Sequence, residues 1–124
     1  MRGYVFQFGE VFRELPMLLD GALTTLHISV LTLLFSLVVG SIGALCRMSH
    51  LRWIRVPATW YVEVIRNTPL LVQLFFIYFG LSQINIDVSN YTAGLIGLVL
   101  NNGAYLTEIV RAGIQAIHKG QFEA

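Results

Sequence analysis

Long apolar stretches, each about as long as a membrane-spanning helix, alternate along this chain with shorter polar segments. Three long apolar stretches cover about 21–46, 67–86 and 91–115, and the first of them contains no charged side chain. An apolar helix of about 20 residues is long enough to cross the hydrocarbon core of a bilayer. The pattern therefore predicts an all-α membrane protein, with three transmembrane helices in one domain.

The segment before the first span and the span itself have different patterns. In residues 1–20, aromatic side chains alternate with charged ones, which is typical of a helix lying at the membrane surface. Pro16 is expected to break this segment before the membrane begins. Within the span, Ser36, Gly40 and Ala44 repeat at intervals of four residues, a pattern of small residues that favours a close helix–helix contact.

The start of the second span combines a hydroxyl residue and a proline. Thr68 is expected to cap the helix, and Pro69 is expected to occupy its first position, where a missing N–H costs nothing. Gln73 is the one polar side chain within the apolar run 70–81.

In the third span, seven small or polar residues repeat at steps of three and four, which places them on one helix face. Small residues let backbones approach closely, whereas amide and carboxyl groups are costly against lipid. This face is therefore either a packing face with an ordinary i,i+3 ion pair or part of a transport pathway. Its residues are Gly94, Gly97, Asn101, Ala104, Glu108, Arg111 and Gln115.

The distribution of charge predicts the topology. Residues 47–66 contain four arginines and one glutamate, whereas residues 82–90 contain Asp87 and no basic residue. Because Lys and Arg concentrate in cytoplasmic loops, we expect 47–66 inside and 82–90 outside. The N-terminus is then outside and the C-terminus inside.

Composition agrees with a membrane protein and argues against several other classes. Apolar residues make up 56% of the chain and charged residues 12%, where soluble domains have about 25% charged residues. The net charge of +1 gives no reason to expect nucleic acid as a partner. No lysine-bearing glycine-rich phosphate loop, metal-spaced histidines or nucleophile–base pair occurs in the sequence. We therefore expect neither an enzyme nor a metal or other cofactor.

Three blocks of the sequence carry a family resemblance. They are GALTTL at 21–26, RNTPLLVQL at 66–74, and the region 102–124, which contains NGAYLTEIVRAGIQ and ends in GQFEA. Together they resemble the membrane permease subunits of polar amino-acid ABC importers, the histidine, glutamate, glutamine, arginine and opine type. Asn67 departs from the small residue expected at that position.

The resemblance implies a function and a set of partners. Such a permease is a multi-pass protein of the bacterial inner membrane, surrounded by lipid, and it translocates polar amino acids. Its partners are a second permease, identical or homologous, a separate ATP-binding subunit and a soluble amino-acid-binding protein. The resemblance also implies that Gly120, Glu123 and Ala124 begin the cytoplasmic loop that docks on the ATPase. We therefore expect the chain to be the N-terminal, C-terminally truncated part of such a permease.

An importer needs polar side chains that face a shared cavity and small residues where its helices pack. The candidates for the substrate pathway are Asn101, Asn102, Glu108, Arg111 and Gln115. The candidates for helix packing are Ser36, Gly40, Ala44, Gly94, Gly97 and Ala104.

Two alternatives come from other classes of membrane protein. A small multidrug exporter has a similar length, but it needs an acidic residue inside the first span, and residues 21–46 contain none. A non-transporting membrane scaffold or a pore-forming peptide would need neither the 66–74 block nor the GQFEA end.

Overall fold

The computed structural model describes the backbone of residues 8–122 and the side chains of residues 8–117. Every regular element in this part of the chain is a helix, which confirms the predicted all-α class. Two long helices, the second and the fifth, form the centre of the bundle, and the third and fourth pack against the fifth. The five helices are α1 (Phe8–Arg13), α2 (Leu15–Arg47), α3 (Arg52–Asn67), α4 (Leu70–Gln83) and α5 (Asn90–Phe122).

The most extensive contact joins α2 to α5 through glycines. A Cβ built on Gly40 would lie 2.6 Å from the Cβ of Leu106, and one built on Gly103 would lie 2.6 Å from Cγ1 of Val39. A Cβ cannot approach another atom so closely. Only because both positions lack one can the α2 backbone at Gly40 meet the α5 backbone, and the α5 backbone at Gly103 meet the side chain of Val39. The buried residues of α2 all lie on this contact: Thr32, Ser36, Gly40 and Ala44.

Two helices are each long and apolar enough to cross a membrane, namely α2 and the part of α5 from Asn90 to Ile117. A third span exists only if α3 and α4 are taken together, and these two meet at an angle of 112°. The number of spans is therefore two, or three when the bent pair counts as one.

The second span differs from its prediction as a helix over about 67–86 that follows a basic connector. α4 has 14 residues, so it is about 21 Å long and shorter than the roughly 30 Å hydrocarbon core. The basic segment expected as a connector is largely the helix α3. Thr68 and Pro69 separate the two helices in extended conformations, with ψ of 133° and 142°. Proline causes this break because it disfavours helical geometry in the residue before it.

The expectation that Thr68 caps α4 is wrong. Its hydroxyl instead donates a hydrogen bond to the carbonyl of Val64, 2.7 Å away in the last turn of α3. Pro69 occupies the cap position of α4, and no side chain bonds the free amides there.

Two helix boundaries, the start of α2 and the end of α4, are set by local backbone conformation and hydrogen bonds. α2 begins at Leu15, so Pro16 lies in its first turn and the break with α1 falls at Glu14, slightly earlier than predicted. At the other connection, α4 ends with Asn85 in the left-handed conformation, at φ 60°. The amide of Ile86 then donates to the carbonyl of Leu81 at 2.9 Å, which is the Schellman arrangement.

Candidate functional site

Three charged side chains meet where the C-terminal end of α2 reaches α5. Glu108 accepts a hydrogen bond from Arg47 on one carboxylate oxygen and from Arg111, at 2.6 Å, on the other. The three side chains are only 16–31% exposed, and the Nε of Arg111 is buried without a partner. We call these three residues the ionic cluster. It carries a net charge of +1.

Each member of the ionic cluster lies near one end of the membrane region. Glu108 lies 18 residues after Asn90, about 27 Å along α5, close to the full thickness of a hydrocarbon core. Arg47 is in the last turn of α2, where a cation interacts favourably with the helix dipole. The cluster therefore joins the two long helices at the depth where α2 ends.

A second polar group lies at the break between α3 and α4. The side-chain amide of Gln73 donates to the carbonyls of Ile65 and Thr68, at 2.9 Å in both cases. Its oxygen accepts a hydrogen bond from the amide of Asn101 at 3.3 Å. One buried glutamine thus satisfies two carbonyls that the break removes from the helical hydrogen-bond pattern, and it ties the break to α5.

α3 crosses α5 at nearly the same depth as the break between α3 and α4. The hydroxyl of Tyr61 donates to the backbone carbonyl of Leu100, and it lies near Gly103, where there is no side chain to displace it. Asn101 is 11 residues from the start of α5, so this crossing and the break are about 16 Å along the helix. That distance corresponds to the middle of a bilayer.

On another side of the same pair of long helices, α2 and α5 enclose an open groove. Its volume is about 400 Å³, and five of its lining side chains carry polar atoms. Thr32 and Ser36 are 5% and 0% exposed, and neither hydroxyl has a hydrogen-bond partner. We call this space the α2–α5 groove. Its polar lining residues are Ser29, Thr32, Ser36, Asn102 and Tyr105.

The structure distributes the five pathway candidates over separate places. Asn101 is bonded to Gln73, and Glu108 and Arg111 belong to the ionic cluster. Asn102 is exposed and lines the α2–α5 groove, whereas Gln115 is exposed toward the inner end of α5. These five side chains therefore do not line one cavity within the described residues.

The packing candidates lie in helix contacts. Ser36, Gly40, Ala44 and Ala104 are buried, and Gly97 is buried against Leu74 of α4. A Cβ built on Gly94 would lie at an ordinary 3.8 Å from Ile28 of α2. For the proposed loop, Gly120 lies in the last turn of α5, and Glu123 and Ala124 lie outside the described residues.

The sequence analysis did not predict the roles of three residues in these polar contacts. Arg47 was assigned to a basic connector, although it directly follows one uncharged apolar stretch and Glu108 directly follows another, which could have suggested the pair. Gln73 stood alone among apolar residues, which is itself a signal of a buried hydrogen-bond role. Tyr61 lies in the basic segment 47–66, which was expected as a loop, whereas its hydroxyl bonds to α5 inside the fold. Among the described residues, no group of three His, Cys, Asp or Glu side chains could hold a metal ion.

Comparison with known proteins identifies the family. The family described as "Binding-protein-dependent transport system inner membrane component" matches residues 36–124. The chain belongs to this family. Membership places it in the inner membrane as a helical ABC-transporter component, as the resemblance implied.

Curated members of the family are similar over nearly the whole chain. A protein of Rickettsia bellii, whose name assigns it to a glutamine transport system as permease protein GlnP, is 45% identical over 122 residues. The Bacillus subtilis arginine transport system permease protein ArtQ is 40% identical over 121 residues. The alignments cover 98% and 94% of this chain, respectively, and 55% and 54% of those relatives. The chain thus spans about half the length of the curated relatives that it matches.

A solved structure shares the fold as well as the sequence. A crystal structure described as an amino acid ABC transporter with histidines superposes with a TM-score of 0.90 at 40% identity. The match covers 96% of this chain and 56% of that one. The comparisons thus support the amino-acid permease interpretation, and they do not support the multidrug-exporter or scaffold alternatives.

Proposed function

We propose that the chain forms part of a permease subunit that carries polar amino acids across the bacterial inner membrane. The main support is the TM-score of 0.90, over 96% of the chain, with a structure described as an amino acid ABC transporter. The names of relatives from two distant bacteria, one for glutamine transport and one for arginine transport, favour the same solute class.

The broken span supports a transport role on physical grounds. Irregular backbone at membrane depth is stable only where protein or water, and not lipid, surrounds its polar groups. Here the break between α3 and α4 lies about 16 Å along α5, and Gln73 satisfies the carbonyls of Ile65 and Thr68. Transporters commonly place discontinuous helices beside their solute sites near the bilayer midplane.

The polar side chains of α5 divide into two roles in this proposal. Asn101 and Glu108 bond to other helices and so hold α5 to its neighbours, and Arg111 bonds to Glu108 within α5. Asn102 and Gln115 are exposed and are free to face the solute path. The pathway hypothesis is therefore strongest for these two amides.

The proposal assigns energy supply and solute delivery to separate partners. The 124-residue sequence contains no phosphate-binding loop, so ATP is hydrolysed by another subunit. Gly120, Glu123 and Ala124 begin the loop that contacts it, a second permease completes the pathway, and a soluble binding protein delivers the amino acid.

Reconstituted transport tests the proposal. The permease that contains this chain is placed in liposomes with its ATP-binding subunit and binding protein, and uptake of radiolabelled L-glutamine and L-arginine is measured. We expect uptake of at least one polar amino acid that requires both internal ATP and the external binding protein. Uptake that is independent of ATP, or no uptake of any polar amino acid, would contradict the proposal.

A further inference from the structure

Helix α3 has three faces with different surroundings. One face packs on the bundle, where Val62 is fully buried and Tyr61 bonds to α5. A second face is apolar but remains exposed, with Trp53 and Trp60 73% and 67% accessible. The third face is polar and lies between the other two, because its residues repeat at steps of three and four. Its members are Arg52, Arg55, Thr59, Glu63 and Arg66. A helix with this distribution suits the boundary between protein, lipid and water.

The first turn of α3 lies at the end of the membrane region where the ionic cluster is found. Only four residues, 48–51, connect Arg47 at the end of α2 to the start of α3. The guanidinium of Arg55 lies 3.5 Å from the carbonyl of Ser49, so this turn stays beside the end of α2. The charge distribution predicts that this side of the membrane is cytoplasmic.

The two arginines of this turn have no counter-charge within the fold. Arg52 and Arg55 are exposed, and among the side chains of residues 8–117 no carboxylate lies within ion-pair distance of either. The acidic residue of α3, Glu63, is eight residues after Arg55, about 12 Å along the helix, and it accepts a hydrogen bond from Asn67. Like charges three residues apart on a helix repel each other. The turn therefore attracts an anion from outside the chain.

We propose that the first turn of α3 binds the phosphates of anionic phospholipids at the cytoplasmic membrane surface. Arg52 and Arg55 donate charge-assisted hydrogen bonds to phosphate oxygens, and Trp53 between them places its ring at the boundary of headgroups and acyl chains. A zwitterionic headgroup carries its own cation, so the net attraction favours anionic lipids. The proposal goes beyond the proposed function, because it concerns the lipid around the chain and does not depend on the solute.

The exposed apolar side chains favour a lipid surface over a soluble anion. Free phosphate would neutralise the two arginines but would leave Leu51 and Trp53, 51% and 73% exposed, in water. A bilayer surface accommodates both kinds of group at once. In binding at a membrane interface, the burial of apolar area and the attraction between charges add together. The charges and the apolar side chains of this turn therefore indicate the same partner.

Quenching of tryptophan fluorescence identifies the lipid next to the turn. The chain contains two tryptophans, so Trp53 is the one that remains in a Trp60→Phe variant. This 124-residue variant is placed in phosphatidylcholine nanodiscs, in which part of the lipid is replaced by phosphatidylglycerol or phosphatidylcholine with brominated acyl chains. We expect brominated phosphatidylglycerol to quench Trp53 at a mole fraction about fivefold lower, or lower still. Equal quenching by the two brominated lipids would overturn the proposal.

Two double variants and one control separate lipid binding from folding. Arg52→Gln with Arg55→Gln should abolish the preference for phosphatidylglycerol, and glutamine keeps the helix propensity. Arg13→Gln, an exposed arginine of α1 on the far side of the first span, should leave the preference unchanged. Arg52→Lys with Arg55→Lys keeps both charges and should retain most of the preference. A preference that survives the glutamine variant, or one that the lysine variant loses, would refute the site.

Two further measurements distinguish the lipid from other anions. Excess inorganic phosphate should reduce the preference no more than sodium chloride at equal ionic strength, and a larger effect would mean that the turn binds free phosphate instead. In the complete permease with its ATP-binding subunit, a fluorophore on Trp53→Cys, with other cysteines removed, should also be quenched by brominated phosphatidylglycerol. No quenching there would show that protein covers the turn, which would overturn the proposal. None of these measurements requires import, so the proposed function stands or fails separately.

Discussion

Arg47 and Glu108 lie 61 residues apart in the sequence and form an ion pair that joins the end of α2 to α5. Both side chains are mostly buried, and Glu108 also binds Arg111 at 2.6 Å. Removing one partner of a buried pair leaves the other charge uncompensated, which is the main source of the destabilisation.

Arg47→Gln should therefore lower the stability of the bundle. We expect a loss of about 2 kcal/mol, less than the roughly 3–5 kcal/mol for a fully buried pair, because Arg111 still neutralises Glu108. Reversible unfolding in mixed micelles measures the difference. Arg52→Gln is the control, since that exposed side chain has no ion pair among the described residues. Equal stability of the two variants would show that the ionic cluster does not hold the helices together.

Exchanging the charges of Glu108 and Arg111 has a further consequence in this structure. The exchange would place arginines at both position 108 and position 47, where they would repel each other. We expect the double variant Glu108→Arg with Arg111→Glu to be less stable than the wild type and to lose transport as well. Retention of both stability and transport would mean that Arg47 contributes nothing to the pairing. The measurements are unfolding in micelles and uptake by the reconstituted permease.

Gly40→Ala should separate α2 from α5. A Cβ at this position would lie 2.6 Å from Leu106 and 3.2 Å from the backbone nitrogen of Thr107, and backbone cannot move aside as a side-chain end can. Overpacking of this kind typically costs about 1–3 kcal/mol. Gly21→Ala on the same helix is the matched control, because nothing lies within 4 Å of its Cβ position.

The control should be neutral or more stable by up to about 1 kcal/mol, since alanine is the better helix former. Thermal unfolding followed by circular dichroism measures both variants. If Gly40→Ala is as stable as Gly21→Ala, the contact between α2 and α5 is looser than the structure indicates.

Gln73→Leu should destabilise the break between α3 and α4. It leaves the carbonyl of Thr68 and the amide of Asn101 without their partner, at about 1–3 kcal/mol for each buried group left unsatisfied, whereas the carbonyl of Ile65 keeps its hydrogen bond from the Thr68 amide at 3.3 Å. Hydrogen exchange should become faster in residues 64–74. Gln83→Leu, at the exposed end of α4, should leave that exchange unchanged. Unchanged protection in Gln73→Leu would assign the stability of the break to Pro69 alone.

Single cysteines should react from opposite sides of the membrane. Ser49 follows α2 and Ser89 precedes α5, and we expect the bent pair α3–α4 between them to cross the membrane once. With Cys46→Ser as background, Ser49→Cys should react with an impermeant reagent from the cytoplasmic side and Ser89→Cys from the outer side. Labelling of both from one side would refute the topology.

The sequence was sufficient for features that depend on one helix at a time. Length and apolar content predicted α2 and α5, and the spacing of three and four residues found positions of α5 that lie against other helices, such as Gly97 and Ala104. The polar contacts between helices were harder to predict from the sequence. Periodicity relates residues within one helix, so it paired Glu108 with Arg111 and gave no sign of Arg47.

The sequence analysis started the second span at Thr68 and Pro69 but missed the helix α3 before them, for a related reason. Pro69 can start a helix as readily as it can interrupt one, and the choice depends on what satisfies the neighbouring carbonyls. Here Gln73 supplies those hydrogen bonds and Asn101 fixes the orientation of Gln73. This arrangement involves two helices beyond the break, so local sequence cannot decide it.

The glycine contacts between α2 and α5 have a mechanical consequence. At Gly40 the backbone of α2 lies against the backbone of α5, with no side chain between them that could change rotamer and absorb a shift. A displacement of α2 or α5 would therefore move the other helix with it, so the two behave as one rigid unit. The bent pair α3–α4 is held to α5 by the hydrogen bonds of Tyr61 and Gln73. Each of these hydrogen bonds can break and be replaced by another separately. We therefore expect relative motion within this part of the molecule to be concentrated at the break between α3 and α4.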